Sequence, residues 1–231
     1  MEVVRTDCLV IGSGFAGSAY ALYAARAGLD VQLLSLGGPL EANSDWAQGG
    51  IIYDTSTDPE LLARDILEAS AGTANPAAVR QLVTEGPKAV RELLIDDLKV
   101  GFDRGDDGKL ELTREGGHSA RRIIHAKDRT GHAILSAVAG GVESTQGITR
   151  HTGAIAVDLL TLSHNTDNPE DRYKPLTCFG AYVLMEGCSE PVAIVARKTI
   201  LACGGLGQIF QHSTNHPGIV GHGVAMAYRV G

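Results

Sequence analysis

The stretch CLVIGSGFAGSAYALYAARAGLDVQLL at residues 8–34 constrains the fold more than any other part of this chain. The continuous apolar run over 8–11 is typical of a strand that is covered on both faces. An alanine-rich run follows it and predicts a helix that Gly28 ends, and residues 31–34 predict a second strand. Two strands joined by one helix predict a βαβ unit, and therefore a parallel sheet.

Three glycines lie at the first turn of this unit and form a G-x-G-x-x-G pattern: Gly12, Gly14 and Gly17. In such a turn the first glycine permits a tight bend, the second lets a pyrophosphate approach the backbone, and the third lets the helix pack on the strand. The N–H groups and the positive end of the helix dipole then face the anion. We therefore predict an α/β, Rossmann-like dinucleotide site, the alternative being a glycine turn that only packs.

The end of the second strand lacks the acid that usually binds the ribose of a dinucleotide. The chain reads Leu34, Ser35, Leu36, Gly37 there, where the fingerprint expects Asp or Glu. Ser35 could bind a ribose hydroxyl more weakly, or the backbone could. This departure argues against an ordinary NAD site.

Capping signals predict helices along the rest of the chain. Asp58 before Pro59 and Asn75 before Pro76 are N-cap residues followed by proline, and Gly86-Pro87 predicts a break in the second helix. We expect a further helix from residue 128 or 130 to about 142, and another in the last eleven residues.

The strand signals lie mainly in the second half of the chain. Residues 102–112 read as a hairpin with its turn at Asp107-Gly108, and residues 147–160 read as one strand. Residues 178–205 read as three strands, with turns at 186–191 and around Arg197-Lys198. Together these signals predict a parallel sheet with a three-stranded β-meander.

Composition and motifs exclude several classes of function. With a net charge of −7 we expect no general affinity for nucleic acid or for anionic membranes. The chain runs straight into a strand pattern without a signal peptide, and its four cysteines show no CxxC spacing, so we expect reduced thiols and a cytoplasmic protein. The histidines at 118, 125 and 132 are interrupted by glycines, so we expect no metal site.

Six segments carry a resemblance to a known family, in family order and over essentially the whole chain. They are VIGSGFAGSAYALYAA, NSDWAQGGI, TREGGHSARRIIHAKDRTG, AVDLL, TILACGGLGQIFQHSTNHP and GHGVAMAYRVG. They resemble the flavoprotein family of L-aspartate oxidase, succinate dehydrogenase and fumarate reductase, and the third segment is most similar to the L-aspartate oxidases. The resemblance implies noncovalent FAD and oxidation of L-aspartate to iminoaspartate, the first step toward quinolinate and NAD. It also implies oxygen or fumarate as electron acceptor and a functional link to quinolinate synthase.

Two positions separate the members of this family. Asn43 occupies the place where a histidine often carries a covalent flavin, and an asparagine cannot form that bond. Glu115 precedes the glycine pair of the polar loop, where succinate-oxidising and fumarate-reducing relatives have an apolar residue. An ammonium-bearing substrate needs an anionic partner, whereas succinate does not. A soluble fumarate reductase-type flavoprotein and a non-catalytic nucleotide-binding fragment remain the alternatives.

The resemblance also implies a set of site residues. Glu115 would orient the substrate, with His118 beside it. Leu36 and His222 stand where the family usually has a lysine and an aspartate. Family members continue far beyond residue 231, so residues 1–231 would be the N-terminal part of the FAD-binding domain, without the capping domain and the C-terminal FAD-domain segment, and inactive alone. The implied cofactor contacts are Gly12, Ser13, Gly14, Phe15, Ala16, Gly17, Ser35, Leu36, Asn43, Ser44, Ala47, Gln48, Gly49, Gly50, Ala156, Val157, Gly204 and His222.

Overall fold

A computed structural model describes residues 1–53 and 58–231 of the chain. These residues form two compact units, which are described separately: a sheet unit of residues 1–44 and 138–231, and a helical unit of residues 45–137. The strands are β1 (Val3–Ile11), β2 (Val31–Leu34), β3 (Ile51–Ile52), β4 (Ile123–Ile124), β5 (Ile148–His151), β6 (Ala154–Thr161), β7 (Cys178–Met185) and β8 (Val192–Leu201). The α-helices are α1 (Phe15–Arg26), α2 (Pro59–Ala69), α3 (Pro76–Ala89), α4 (Thr130–Ser144) and α5 (His222–Val230).

The sheet unit is built on a six-stranded sheet in the order β5-β2-β1-β8-β7-β6. The first four of these strands run parallel, and β8, β7 and β6 form an antiparallel meander. The second half of β1 is buried, as its continuous apolar run predicts. The predicted α/β class with a parallel sheet and a three-stranded meander is therefore confirmed, but residues 178–205 form two strands rather than three, and β6 is the third strand of the meander.

Two strand predictions within this unit are wrong. Residues 147–160 form two strands rather than one, because Gly153 adopts a positive φ of 63° and separates β5 from β6. Arg197-Lys198 marks no turn, because β8 is continuous and pairs with β1 from Ala193 to Leu201. The two polar side chains lie where β7 no longer pairs with β8, and Arg197 contacts Asp7 at 3.3 Å, so the strand can carry them without bending.

The helical unit confirms the two predicted N-caps. The Asp58 side chain accepts a hydrogen bond from the Leu61 N–H, and the Asn75 side chain accepts one from the Ala77 N–H, both at 2.9 Å. Helices α2 and α3 then pack through a small cluster of buried residues: Leu62, Val79 and Val83.

The predicted helix break at Gly86-Pro87 is wrong. Helix α3 passes through Pro87 to Ala89 and continues as a π-helix over Val90–Asp97. Proline removes only its own N–H from the helix ladder, and the N–H of Val90 still bonds to the carbonyl of Gly86.

The polar loop at 113–122 has a closed base in this unit. Thr113 bridges to Ile123, and Ile124 pairs with Ile51 in the small sheet of β3 and β4. The predicted hairpin before it is present as a turn, with Gly108 at a φ of 75° and a single bridge between Arg104 and Leu110, rather than as paired strands. None of the helices in the described ranges is long and apolar enough to cross a bilayer.

Candidate functional site

A cavity of about 510 Å³ lies in the sheet unit beside the glycine turn that follows β1. Its walls come from the start of α1, the end of β2, residues 41–44, β6, the end of β8 and the segment before α5. A crevice at the carboxyl ends of parallel strands is where open α/β sheets bind their ligands. Twelve of the residues proposed from the sequence line it: Gly12, Ser13, Gly14, Phe15, Ala16, Ser35, Leu36, Asn43, Ser44, Ala156, Gly204 and His222.

The three glycines of the turn have different environments. Gly12 has a φ of 112°, and a Cβ there would lie 2.6 Å from the carbonyl carbon of Ala202. A Cβ on Gly17 would overlap the carbonyl oxygen of Gly12. A Cβ on Gly14 would meet no atom closer than 3.6 Å, so this glycine leaves room in the cavity rather than relieving a protein contact.

The start of helix α1 suits an anionic ligand. Gly14 is the N-cap and contributes no side chain to the exposed N–H groups, and the first turn of α1 contains no acid. The N–H of Phe15 donates to Ser44 Oγ, but the other N–H groups of the first turn and the helix dipole favour a negative group at this place. The turn therefore fits the pyrophosphate of a dinucleotide such as FAD.

The end of β2 differs from the sequence interpretation. Ser35 is buried, and its hydroxyl accepts a hydrogen bond from Ser13 and donates one to the carbonyl of Gly37, both at 2.7 Å. The hydroxyl of Ser35 is therefore already used in hydrogen bonds to other residues of the protein. A different acid, Glu41, lines the cavity with its carboxylate folded back over Gly37, whose Cβ would lie 2.8 Å from the Glu41 carboxyl carbon.

Sequence reasoning missed Glu41 because it searched only the residues directly after β2. The signal was the Gly37-Gly38 pair, which can reverse the chain and bring a later residue back to the strand end. The N–H of Glu41 donates to the carbonyl of Gly38 at 3.1 Å, which closes this reversal.

Three proposed contacts in the cavity have polar atoms engaged with the backbone. Asn43 Oδ1 accepts a hydrogen bond from the N–H of His216 at 2.9 Å, and Ser44 Oγ accepts one from the N–H of Phe15 at 3.3 Å. His222 Nε2 lies 2.6 Å from the carbonyl oxygen of Ala156. A carbonyl can only accept, so Nε2 carries a hydrogen, and in the neutral form of such a ring Nδ1 is an acceptor.

Other residues lie differently from the sequence proposal. Gly17 faces the glycine turn itself, and Val157 is exposed, with its carbonyl accepting a hydrogen bond from Arg229 at 2.9 Å. Cys203, which the sequence analysis did not propose, lines the cavity and donates to the carbonyl of Ile11 at 3.3 Å, and burial raises the pKa of its thiol. Ala47, Gln48, Gly49 and Gly50 belong to the helical unit.

Within the helical unit, the glycine pair and the polar loop meet as neighbours. Glu115 Oε1 accepts a hydrogen bond of 2.7 Å from the N–H of Gly50. A Cβ on Gly49 would lie 3.1 Å from Glu115 Oε2, so the carboxylate lies directly over this glycine. His118 donates its backbone N–H to the carbonyl of Glu115 at 3.2 Å, and its buried Nδ1 has no partner in the part of the chain that the structure describes.

Asp65 on α2 holds the far side of this loop, and the sequence analysis did not single it out. Its carboxylate accepts hydrogen bonds from the N–H and the hydroxyl of Ser119, at 2.8 and 2.7 Å, and from Arg122 at 2.7 Å. The Ser119 N–H is the main cause that holds the pKa of Asp65 below its usual value, with further help from the Ser119 hydroxyl and from Arg122. The signal was an acid between Leu62 and Ile66 on a helix face that otherwise looks like core.

A second carboxylate ties the segment before the glycine pair to helix α4. Asp45 lies 2.7 Å from His132 Nδ1, and the N–H of Gly131 donates to the carbonyl of Ala47 at 2.8 Å. In the ranges 1–53 and 58–231 no group of three His, Cys, Asp or Glu side chains could hold a metal ion.

Comparisons with known proteins identify the family of the chain and several similar proteins. Residues 7–231 match the family described as FAD binding domain. An L-aspartate oxidase of Halobacterium salinarum is 39% identical over 231 residues, which cover 100% of this chain and 43% of that protein. A chloroplastic L-aspartate oxidase of rice (Oryza sativa subsp. japonica) is 36% identical over 225 residues, which cover 96% of this chain and 33% of that protein.

A solved structure shares the fold of the chain. The quinol fumarate reductase FrdA of E. coli superposes with a TM-score of 0.87 at 23% identity, over 99% of this chain and 37% of that one. This likeness concerns the fold alone. The chain spans 33% to 43% of the length of the two L-aspartate oxidases named above.

Proposed function

Because this chain belongs to the FAD-binding domain family, we propose that it is the N-terminal part of an L-aspartate oxidase that converts L-aspartate to iminoaspartate. The observation that carries the proposal is the carboxylate of Glu115, seated on the Gly49-Gly50 pair by a 2.7 Å hydrogen bond. An acid at this place gives an amino acid substrate a partner for its ammonium group. The curated relatives at 36% and 39% identity support the same reaction.

The residues around the cavity would hold FAD, which when bound accepts a hydride from the substrate's α-carbon. Gly14 and the first turn of α1 bind the pyrophosphate, because the missing side chain leaves space and the helix N-terminus favours the charge. Glu41 provides the carboxylate acceptor for ribose hydroxyls that the end of β2 lacks. His222 offers Nδ1 as a neutral acceptor for a hydroxyl, where the family usually has a carboxylate.

FAD is bound without a covalent link in this proposal. Asn43 lines the cavity, but its amide is not a nucleophile and its oxygen is engaged with the N–H of His216. The flavin is then retained by contacts alone, so denaturation releases it.

Glu115 binds the ammonium group of the substrate. The Gly50 N–H fixes one carboxylate oxygen, so the carboxylate is oriented before the substrate arrives. Oε2 then accepts a hydrogen bond from the ammonium group, and the charge pair strengthens as water is excluded. His118, three residues after Glu115 in the same loop, is the second proposed substrate contact.

Several parts of the proposal concern the whole protein. The electrons pass to oxygen or fumarate, the iminoaspartate passes to a quinolinate synthase, and the enzyme works in the cytoplasm. A fumarate reductase-type reaction remains the alternative that the sequence left open. That reaction gives Glu115 no amine to bind.

The experiment that tests the proposal uses the full-length protein that contains this chain, purified with its flavin. We expect flavin release on denaturation and hydrogen peroxide formation, or fumarate reduction, driven by L-aspartate. A protein that reduces fumarate with an artificial donor but does not oxidise L-aspartate would support the second candidate instead.

A further inference from the structure

A buried carboxylate connects helix α2 to the polar loop at 113–122. Both oxygens of Asp65 are used: Oδ1 accepts the hydroxyl hydrogen of Ser119, and Oδ2 accepts the Ser119 N–H and a guanidinium hydrogen of Arg122. Asp65 is 7% exposed and Arg122 is 3% exposed. A charged pair so deeply buried, with its hydrogen bonds filled, fixes the geometry of both partners.

The loop needs such a fixed point because its own sequence is flexible. Glu115 is followed by Gly116 and Gly117, and Gly117 has a φ of 80°. Ordering each backbone residue costs about 1–2 kcal/mol, and glycine loses the most freedom. Two backbone hydrogen bonds are described inside the loop: the N–H of Arg122 donates to the carbonyl of Thr113 at its base, at 3.1 Å, and the N–H of His118 donates to the carbonyl of Glu115, at 3.2 Å.

Helix α2 provides a rigid support for Asp65. Leu62, one turn before Asp65, is 1% exposed and packs with Val79 and Val83 of α3. The base of the loop is fixed by the bridge between Thr113 and Ile123. Asp65 fixes the loop at Ser119, so Glu115 lies between two anchored points.

We propose that Asp65 is a positioning residue, which holds Ser119 so that Glu115 presents its carboxylate to the substrate amine. This inference rests on the proposed function, in which Glu115 binds that amine. Asp65 does not contact the substrate. It acts through Ser119, four residues after Glu115.

Ser119 allows the positioning role to be separated from the burial of Arg122. Ser119 is exposed, so Ser119→Ala removes one hydrogen bond to Asp65 without unpairing the buried guanidinium. Asp65→Asn weakens both contacts and carries a greater risk of misfolding. Ser70→Ala is a matched control, because Ser70 also donates a 2.7 Å hydrogen bond, but to the carbonyl of Leu67 in helix α2 rather than to a residue of the loop or to Asp65.

The test uses the full-length enzyme loaded with FAD. On each preparation it measures L-aspartate oxidation and, separately, fumarate reduction with an artificial electron donor. We expect Ser119→Ala to raise the KM for L-aspartate roughly two- to tenfold, the effect of one lost hydrogen bond, and to spare fumarate reduction. Ser119→Thr, which keeps the hydroxyl, should restore the KM. Ser70→Ala should leave both activities unchanged.

Hydrogen exchange of the peptide 113–122 provides a readout that needs no turnover. We expect Ser119→Ala, and more strongly Asp65→Asn, to speed exchange in this peptide, while Ser70→Ala does not. An unchanged KM with the Ser119→Ala variant, or equal losses of both activities, would overturn the positioning role. If the wild-type enzyme oxidises no L-aspartate, the proposed function fails. If hydrogen exchange of the peptide 113–122 is also unchanged in the Ser119→Ala and Asp65→Asn variants, the positioning role of Asp65 fails as well.

Discussion

The N–H of Gly50 donates a hydrogen bond of 2.7 Å to Oε1 of Glu115, although the two residues are 65 positions apart in the chain. The bond joins the AQGG segment to the polar loop, two features that the sequence shows only as separate motifs. Gly49 lies under the other carboxylate oxygen, so the pair of glycines forms a seat for this acid. At Gly49 the atom nearest to an added Cβ belongs to Glu115, so a single methyl group at this position tests the contact.

Gly49→Ala should displace Glu115 in the full-length enzyme. The added Cβ would lie 3.1 Å from Oε2, which is tighter than ordinary contact, and the carboxylate must move. We expect the KM for L-aspartate to rise by about tenfold, close to the effect of one charge-assisted hydrogen bond. Steady-state kinetics checks this. Gly101→Ala is the matched control, since its Cβ would meet nothing within 4 Å. Equal kinetics for the two variants would show that Glu115 tolerates the methyl group.

Gly14→Ala should weaken FAD binding while leaving the fold stable. Its φ of −63° suits alanine, and its Cβ would make only ordinary contacts, the nearest with Ser44 Oγ at 3.6 Å, so the cost arises only when a ligand is present. We expect the Kd for FAD to rise at least tenfold, measured by flavin fluorescence, with little change in the Tm of the apoprotein. A Tm that falls as far as that of Gly17→Ala would contradict this division of roles.

Gly17→Ala should lower the stability of the protein rather than act on the cofactor directly. The new Cβ would overlap the carbonyl oxygen of Gly12 and approach the Cβ of Ala202 to 3.1 Å. Overpacking of this kind costs about 1–3 kcal/mol. The free energy of unfolding of the apoprotein, measured in urea, should decrease by that amount. An unchanged value would mean that helix α1 moves away without cost.

Acid should weaken the contribution of Asp65 to stability. Its pKa in the folded protein lies below the ordinary value of 3.8, chiefly because of the Ser119 N–H, so the unfolded chain binds the proton more readily. The stabilisation is therefore complete above pH 3.8 and is lost as the pH falls through the folded pKa. The difference in unfolding free energy between the wild type and Asp65→Asn should shrink as the pH falls below 3.8. A constant difference would show that the charge of Asp65 does not stabilise the fold.

The local signals in the sequence predicted those parts of the fold that short-range chemistry decides. The βαβ unit follows from an apolar run, a glycine turn and an alanine-rich helix, and the caps at Asp58 and Asn75 form the hydrogen bonds that their positions predict. The predictions that failed depended on partners elsewhere in the chain. Strand β8 runs through Arg197 because β1 pairs with it over its whole length.

In the candidate site, too, local patterns predicted some residues, whereas others depend on contacts with distant parts of the chain. The glycines at 12 and 14 were identified from their spacing, and the structure places both on the cavity. Glu41 was missed because a chain reversal at Gly37-Gly38, rather than adjacency to β2, brings it to the cavity. Asp65 was missed because an acid on a helix face acquires meaning only when Ser119 and Arg122, more than fifty residues away, are seen to contact it.

The central claim is that Glu115 binds the amine of the substrate, and Glu115→Gln tests it most directly because the change keeps the size and removes the charge. In the full-length, FAD-loaded enzyme, L-aspartate oxidation and fumarate reduction with an artificial electron donor can be measured on one preparation, which controls for misfolding. We predict that kcat/KM for L-aspartate falls by a factor equivalent to about 1.5–3 kcal/mol, while fumarate reduction is unchanged. Equal losses of both activities, or an undiminished L-aspartate oxidation, would contradict the claim.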